Sequence, residues 1–342
     1  MSDKDQNSND SKNQLDERIN VDEALWDQNT YIGRWKQMAF ISDFRTIFVS
    51  KEKLYQAKKL CNDYALGNEP EDLKKEDIIY AKKLYDSSFH PDNNELMNLI
   101  GRMSFQFPGN AILLMAMMTF YKSTVALLGL QVINQAFTTI VNYTNRSITT
   151  NELDESKNNI VAEEAFLCSA AASSMVVYGL KQMFYCRGPL FARLIPLGGL
   201  TIGNMINFAV IRQKEIINGI PVWVIHEEPF MNSKVAAIKA ASECFFTRTL
   251  TVAPTMIMIP IVAEYIRTTC FYYRRPWALL PIKLSLCLAS LLVMIPSALA
   301  LYPMCNCMRP DLMKIFPSEY NEFTEKFKEE VQPDRIYYNK GL

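Results

Sequence analysis

The chain has 342 residues, with 36 basic and 36 acidic side chains and a mean hydropathy of -0.03. The zero net charge and the lack of a long basic stripe argue against a nucleic-acid partner. The first twenty residues, MSDKDQNSNDSKNQLDERIN, lack the apolar segment of a secretory signal and are too acidic for a cleavable mitochondrial presequence.

Charged side chains are unevenly distributed along the chain. Residues 1–106 hold 34 of the 72 charges, and the remaining charges lie between long uncharged runs. This division predicts a disordered N-terminus over 1–20 and a polar amphipathic helical region over 21–106. A membrane domain is predicted over 107–308, followed by a C-terminal tail over 309–342.

Two segments of the polar region have the apolar spacing of amphipathic helices. In 51–66, which follows Ser50 as a potential N-cap, apolar residues recur on one helix face. In 70–89, Pro70 and two acids open the segment as in a first helical turn, and an apolar stripe follows. Both segments predict helices of a small domain or of a membrane-facing surface.

Five uncharged runs are candidates for transmembrane helices, which need about 20 apolar residues each. They lie between Arg102 and Lys122, Glu164 and Lys181, Arg193 and Arg212, Arg248 and Glu264, and Lys283 and Arg309. A sixth run, 123–145, is ambiguous because its second half is polar. The series predicts an all-α polytopic membrane protein with about five transmembrane helices, whose termini lie on opposite sides of the membrane.

The residue types that enzymes and metal sites need are scarce in this chain. The eight cysteines are scattered without a CxxC pair, and there are only two histidines. No GxSxG, HExxH or phosphate-binding glycine loop is present. We therefore expect no catalytic residues, no metal site and no cofactor, and we expect that the protein is not an enzyme.

Uncharged polar residues inside the apolar runs are the first candidates for contacts with a substrate. Asn134, Gln135 and Asn142 share one run, and Asn204 and Asn207 lie three residues apart in another. A buried amide needs a partner, so each of these side chains either contacts substrate or links two helices. The sequence leaves both interpretations open.

Pro254 and Pro260 lie inside one uncharged run. Proline removes a helical hydrogen bond, and transporters use the backbone groups of broken helices to hold substrates and ions. The sequence therefore predicts broken backbone near Pro254, with a simple packing kink as the alternative.

A His-Pro-Asp tripeptide begins at His90, shortly before the first uncharged run. In J domains, which are helical co-chaperone modules, this tripeptide ends a basic helix, but the helix after it is soluble and charged. Here an apolar segment follows, so a J domain is only a remote alternative. A further interpretation is that Asp92 caps a helix beginning near Asn93.

Six segments, in order, resemble the sideroflexins, a family of multi-span proteins of the mitochondrial inner membrane. They are LYDSSFHPDNNELMNLIGRMSFQ, INQAFTTIVNYTNRS, GNMINFAVIRQKEIINGIPV, RTLTVAPTMIMIP, RRPWALLPIKLSL and the terminal YYNKGL. Together they extend over about residues 20–342. The sequence departs from the family at Asn93 (threonine in the family), Ala209 and Ile259 (proline) and Thr255 (glycine).

The resemblance implies a multi-pass carrier of the mitochondrial inner membrane without a cleavable presequence. Its expected partners are serine or a related small neutral amino acid, supplied for one-carbon metabolism, and the lipid bilayer. Protein partners or a homo-oligomer are further options. One branch of the family is linked to respiratory-complex assembly, and the lost helix breakers favour that alternative, a scaffold factor that does not transport.

A zwitterion such as serine needs a cation or a helix N-terminus for its carboxylate and uncharged acceptors for its ammonium group. The residues expected to line such a site are Asn134, Gln135, Asn142, Asn204 and Asn207, with the backbone near Pro254. Arg146 and Arg212, at the ends of predicted spans, are the candidate carboxylate anchors. The residues expected to form a gate or a structural motif are His90, Pro91, Asp92 and Pro260.

Overall fold

The structure, a computed structural model, describes residues 19–21, 23–68, 73–91, 93–145, 153–184, 189–224, 229–328 and 333–340. The described part is mainly helical, with one small antiparallel sheet of four strands. The all-α membrane fold predicted from the sequence is confirmed.

An N-terminal region of three helices precedes the bundle: α1 (Tyr31–Ile41), α2 (Lys51–Ala65) and α3 (Lys75–Ser88). The two helices predicted from the apolar spacing are α2 and α3, but α3 begins at Lys75, whereas the predicted first turn at Pro70 lies outside the described residues. Their apolar faces meet in a small core that includes Leu54 and Ile78, which are almost completely buried. α2 begins directly after Ser50 as predicted, although the Ser50 side chain makes no capping hydrogen bond.

The bundle and its connections are built from the next eight helices. These are α4 (Gln106–Phe120), α5 (Thr124–Thr144), α6 (Leu153–Met183), α7 (Pro189–Ile211), α8 (Gln213–Asn218), α9 (Lys234–Arg267), α10 (Cys270–Arg274) and α11 (Leu279–Leu299). The most extensive contact between described helices is the one between α6 and α7.

Among the described residues, five helices are long and apolar enough to cross a membrane: Thr124–Thr144, Asn159–Met183, Phe191–Ile211, Lys234–Arg267 and Pro276–Leu299. The predicted number of about five transmembrane helices is confirmed, but the first of them is formed by a different run from the one predicted. The run before Lys122 forms only the 15-residue α4, about 22 Å long against a bilayer core of about 30 Å. The ambiguous run forms α5, whose polar side chains are mostly buried against other helices and so avoid lipid.

One end of the bundle carries the sheet, and we call it the sheet end. Its strands are β1 (Ile220–Trp223), β2 (Met231–Ser233), β3 (Cys305–Met308) and β4 (Ile336–Asn339), in the order β2-β1-β4-β3. The register pairs Val222 of β1 with Tyr338 of β4, so the end of the chain is the second central strand. The sequence analysis predicted no strands, because segments of three or four residues carry too little alternation.

The C-terminal tail also holds the beginning of α9. Helix α12 (Pro317–Lys326) presents Glu319, whose carboxylate accepts from Ser233 Oγ at 2.9 Å and from the backbone amide of Lys234 at 2.8 Å. The tail thereby supplies an acceptor for the unpaired amides that every helix N-terminus exposes.

Both ends of the folded chain lie at the sheet end. Tyr31 Oη donates to the Ser297 carbonyl at 3.2 Å, close to the C-terminus of α11. Lys340 Nζ donates to the Tyr302 carbonyl at 3.1 Å, just beyond the same helix end. Six helices run between the two ends of the bundle, because α4 runs through it beside the five longer helices. This arrangement argues against the prediction that the termini lie on opposite sides of the membrane.

The other end of the bundle is closed by apolar packing and by one ion pair. Met117, Leu127 and Met256 are fully buried in a cluster that fills this half of the bundle. Beyond it, Arg193 Nη1 of α7 lies 2.5 Å from Glu264 Oε2 of α9. Open space inside the bundle is therefore found toward the sheet end.

Candidate substrate cavity

A cavity of about 90 Å³ lies between α4, α5, α7 and α9, toward the sheet end. A water molecule needs about 10–15 Å³ on the same measure, so the cavity has room for a molecule of several non-hydrogen atoms. Its lining includes Met38 of α1, Asn110 of α4 and Leu299 of α11, so the N-terminal region closes one wall.

Asn134 and Thr138 of α5 and Asn204 of α7 line the cavity. Thr138 Oγ1 lies at the limit of hydrogen bonding from Asn204 Oδ1, at 3.5 Å. Asn134 is 4% exposed, and its Nδ2 has no hydrogen-bond partner among the described residues. An unpaired buried donor is uncommon in folded proteins, so this amide, on a residue that lines the cavity, is a candidate to bind an acceptor of a ligand.

Asn207 and Asn142 lie outside the cavity and link helices instead. Asn142 Nδ2 donates to Asn207 Oδ1 at 2.8 Å, and Asn207 Nδ2 donates to Thr139 Oγ1 at 2.6 Å and to Ser169 Oγ at 3.2 Å. Asn207 is completely buried. Residues three apart on a helix differ by about 60° in direction, which is enough to separate Asn204 from Asn207.

Gln135 also points away from the cavity. It is completely buried beside Gly203 of α7 and Ser173 of α6, and a Cβ atom at Gly203 would overlap its amide. Its amide has no hydrogen-bond partner among the described residues. Gly199 and Gly203 form the small-xxx-small pattern that lets membrane helices approach closely, and here the space they leave is filled by α5 and α6 side chains.

Arg248 is a cation on the cavity wall that was not among the site residues predicted from the sequence. Arg248 is half-buried in α9, fourteen residues after the helix begins, and its guanidinium lies 5.2 Å from the Phe208 ring. It makes no ion pair and no hydrogen bond within the described part of the chain. In the sequence, Arg248 marks the beginning of an uncharged run that was predicted to be a span, whereas the helix extends back to Lys234.

Two further cations line the cavity at its sheet end, Arg34 of α1 and Lys340 of the tail. Arg34 is committed to backbone carbonyls, with Nε 2.8 Å from Ala300 O and Nη1 2.9 Å from Gln28 O. No aspartate or glutamate lines the cavity among the described residues. The wall therefore presents positive charge and neutral polar groups.

The neutral acceptors come from the same helix as Arg248, α9, and also line the cavity. Thr247 Oγ1 donates to the Glu243 carbonyl at 2.8 Å, and Thr251 Oγ1 donates to the Thr247 carbonyl at 2.9 Å. Because each hydroxyl donates its proton to a backbone carbonyl, its oxygen can only accept a further hydrogen bond on the cavity wall.

The two prolines do not break α9. The helix runs as one element of 34 residues from Lys234 to Arg267 and includes both Pro254 and Pro260. The expected broken backbone near Pro254 is contradicted, and Pro254 is outside the cavity lining. Pro260 is buried and is also outside the cavity lining.

Of the two predicted carboxylate anchors, Arg146 lies outside the described residues, and Arg212 is outside the cavity lining. Arg212 lies between α7 and α8, where Nη1 donates to the Lys340 carbonyl at 2.8 Å and pairs with Glu215 at 3.4 Å. Its contacts fix the C-terminal tail against α7. As a substrate anchor Arg212 therefore remains a prediction with no contact to support it.

The segment around His90 forms a tight turn after α3. The His90 amide donates to the Glu95 carbonyl, and the Asn94 amide donates to the His90 carbonyl, both at 2.9 Å. His90 is buried and Pro91 is exposed, neither lines the cavity, and Asp92 lies outside the described residues. No helix begins near Asn93, because Asn94 adopts a left-handed conformation with φ 56°, so the expected capped helix is contradicted.

Comparison with known proteins covers almost the whole chain. The family model described as Sideroflexins matches residues 20–342. The chain belongs to the sideroflexin family. Sideroflexin-2 of Drosophila melanogaster is 36% identical over 331 residues, and Sideroflexin-1 of Sus scrofa is 35% identical over 335 residues. Each alignment covers 96% of this chain and 99% of the relative, and no solved structure matches.

Membership in the sideroflexins supports a transporter role in general terms and does not place the chain in a family of enzymes. The five apolar helices agree with a multi-pass membrane protein. A small-molecule substrate and a bilayer environment follow from the same two observations. The family match also replaces the J domain as the reason for the tripeptide at His90.

Proposed function

We propose that this sideroflexin carries serine, or a closely related small neutral amino acid, across the mitochondrial inner membrane. The observation that supports the proposal most directly is the cavity with Arg248 on its wall. A half-buried guanidinium without a partner favours binding of a carboxylate, the group it pairs with most strongly. Every amino-acid substrate carries that group.

Recognition of the carboxylate would use two kinds of donor. Arg248 supplies charge-assisted hydrogen bonds, and the unpaired Nδ2 of Asn134 supplies a neutral one. Both residues lie on the cavity wall, on α9 and α5. Binding between two helices of the bundle lets the substrate influence their relative position.

The ammonium and hydroxyl groups would meet neutral partners. Thr247 and Thr251 retain acceptor oxygens, and Asn204 offers an amide with both donor and acceptor. Neutral acceptors suit a zwitterion, because the cavity lining has no carboxylate to select a substrate with net positive charge. The size of the cavity favours a short side chain such as that of serine.

The test is serine uptake into liposomes containing the purified chain, with Arg248→Gln as the variant. Loss of a charge-assisted hydrogen bond of about 1.5–3 kcal/mol should reduce uptake at subsaturating serine about 10- to 100-fold. Arg274→Gln is the matched control, because Arg274 is an exposed arginine at the far end of the bundle. Equal uptake by Arg248→Gln and the unmodified protein would remove Arg248 from the pathway.

The alternative is a non-transporting assembly or scaffold factor in the same membrane. One contact favours it: Thr255, where the family has glycine, shares a hydrogen bond of 2.7 Å with Ser290. This bond joins α9 to α11, and α9 is continuous through its prolines. If serine uptake is absent with the unmodified chain and also with Thr255→Gly, the scaffold function becomes the better account.

A further inference from the structure

Lys340 is held by more contacts than a residue near a chain end usually has. Its amide donates to the Met304 carbonyl at 2.8 Å, its Nζ donates to the Tyr302 carbonyl at 3.1 Å, and its carbonyl accepts from Arg212 at 2.8 Å. Lys340 is 6% exposed. Terminal residues are commonly mobile unless they are specifically docked, so the tail places this side chain in a defined position.

The charge of Lys340 faces the Tyr302 ring, whose centre lies 5.7 Å from Nζ. No carboxylate forms an ion pair with its Nζ in the described part of the chain. The Glu243 carboxylate of α9 instead accepts from Tyr338 Oη at 3.1 Å and from Asn306 Nδ2 at 2.9 Å. A buried cation that forms no ion pair is costly, and two of the three Nζ protons have no hydrogen-bond acceptor among the described residues.

We propose that Lys340 is a second carboxylate-binding cation of the cavity, so that the C-terminal tail forms part of the substrate site. The proposal rests on the proposed function, because it takes the same amino acid as ligand. Lys340 lines the cavity together with Arg248, and the two cations come from different parts of the chain. Arg248 belongs to a bundle helix, whereas Lys340 directly follows β4, a central strand of the sheet.

A ligand held by Lys340 must also stabilise the docked tail. Whatever binds only the docked form shifts the docking equilibrium toward that form, and docking raises ligand affinity by the same factor. The strand before Lys340 is paired on both edges, with β1 and with β3. Occupancy of the cavity is therefore expected to protect the whole terminal strand.

The first experiment measures serine binding by the purified full chain in lipid nanodiscs. Lys340→Gln should weaken binding about tenfold, because it removes one charge-assisted contact, whereas Lys340→Arg should restore most of the affinity. Lys314→Gln is the control, because Lys314 is an exposed lysine of the same tail. Serinamide, which lacks the carboxylate, should bind weakly and equally to all four proteins.

The second experiment separates binding from a purely structural role. Without ligand, Lys340→Gln should unfold at the same temperature as the unmodified protein or higher, because it removes an unpaired buried charge. In the unmodified protein, serine should slow carboxypeptidase digestion of the C-terminus, whereas serinamide should not. In Lys340→Gln, serine should have no such effect.

Two results would overturn the proposal while leaving the proposed function intact. One is unchanged serine affinity in Lys340→Gln while Arg248→Gln loses binding. The other is a lower unfolding temperature of ligand-free Lys340→Gln together with equal changes in the binding of serine and of serinamide. That combination is expected of a lysine with a purely structural role. A failure of the unmodified protein to bind serine at all would overturn both proposals together.

Discussion

Arg34 of α1 donates from Nε to the carbonyl oxygen of Ala300, which directly follows α11, at 2.8 Å. Ala300 is separated by one residue from Tyr302, whose carbonyl accepts from Lys340. The N-terminal region and the C-terminal tail are therefore attached to adjacent positions of one backbone segment. This contact joins the two ends of the chain at the sheet end and closes one wall of the cavity.

Protease protection should place tags at the two termini on the same side of the membrane. The physical reason is the short helix α4, which runs through the bundle beside α11 and makes the number of passes even. The measurement is digestion of N- and C-terminal tags in intact and in permeabilised mitoplasts. Protection of only one tag in intact mitoplasts would mean that α4 does not pass through the bilayer.

Asn207→Ala and Asn204→Ala should have different effects although the residues lie on the same helix. Asn207→Ala removes hydrogen bonds to two helices, α5 and α6, and leaves Thr139, Ser169 and Asn142 without their partner, at a cost of about 1–3 kcal/mol in stability. Asn204→Ala should keep stability and raise the KM for serine several-fold. Unfolding temperature and uptake kinetics of both variants give the comparison, and a stable Asn207→Ala with raised KM would contradict it.

The sequence identified the correct helix faces more reliably than the correct partners. The polar residues of α5 were recognised, because amides in an apolar run must be satisfied. Whether each one meets substrate or another helix depends on neighbours distant in sequence. Asn142 meets Asn207 and Gln135 meets Gly203, and no local pattern in α5 records either pairing.

Arg248 and Lys340, the two cations proposed to bind the carboxylate, were missed for different reasons. Arg248 marked the end of a run of 15 uncharged residues, about 22 Å as a helix, which is too short for a bilayer core of about 30 Å. That shortfall was a signal that the helix extends past Arg248. Lys340 had no comparable signal, because its position depends on pairing between β4 and strands that are themselves only four residues long.

Gly203→Ala should destabilise the protein, whereas Gly179→Ala should not. A Cβ at Gly203 would overlap the buried Gln135 amide and lie 2.9 Å from Ser173 Cβ, so α6 and α7 would have to separate at a cost of about 1–3 kcal/mol. A Cβ at Gly179 of α6 meets nothing within 4 Å, and alanine is the better helix former by about 0.5–1 kcal/mol. Thermal unfolding of the two variants in nanodiscs tests this, and equal unfolding temperatures would contradict close packing at Gly203.

Serine binding should weaken at alkaline pH, and Lys340→Arg should remove part of that dependence. Burial lowers the pKa of Lys340 below its ordinary value of 10.5, and the charges of Arg212 and Arg34 lower it further, against the opposing effect of Cys244 and Glu243. As the pH rises through this lowered pKa, Lys340 loses its proton in the folded protein first. A carboxylate prefers the charged form, so affinity falls over that pH interval.

The stability of the ligand-free protein should change in the opposite direction over the same interval. The unfolded chain keeps the Lys340 proton up to about pH 10.5, so it binds more protons than the folded chain there, and stability rises with pH.

The pH dependence of serine binding is tested by comparing the unmodified protein with Lys340→Arg. Titration of the ammonium group of serine affects these two proteins equally and cancels in the ratio of their dissociation constants. The measurement is the serine Kd of the unmodified protein and of Lys340→Arg from neutral to alkaline pH. A constant ratio of the two dissociation constants would show that Lys340 does not contact the carboxylate.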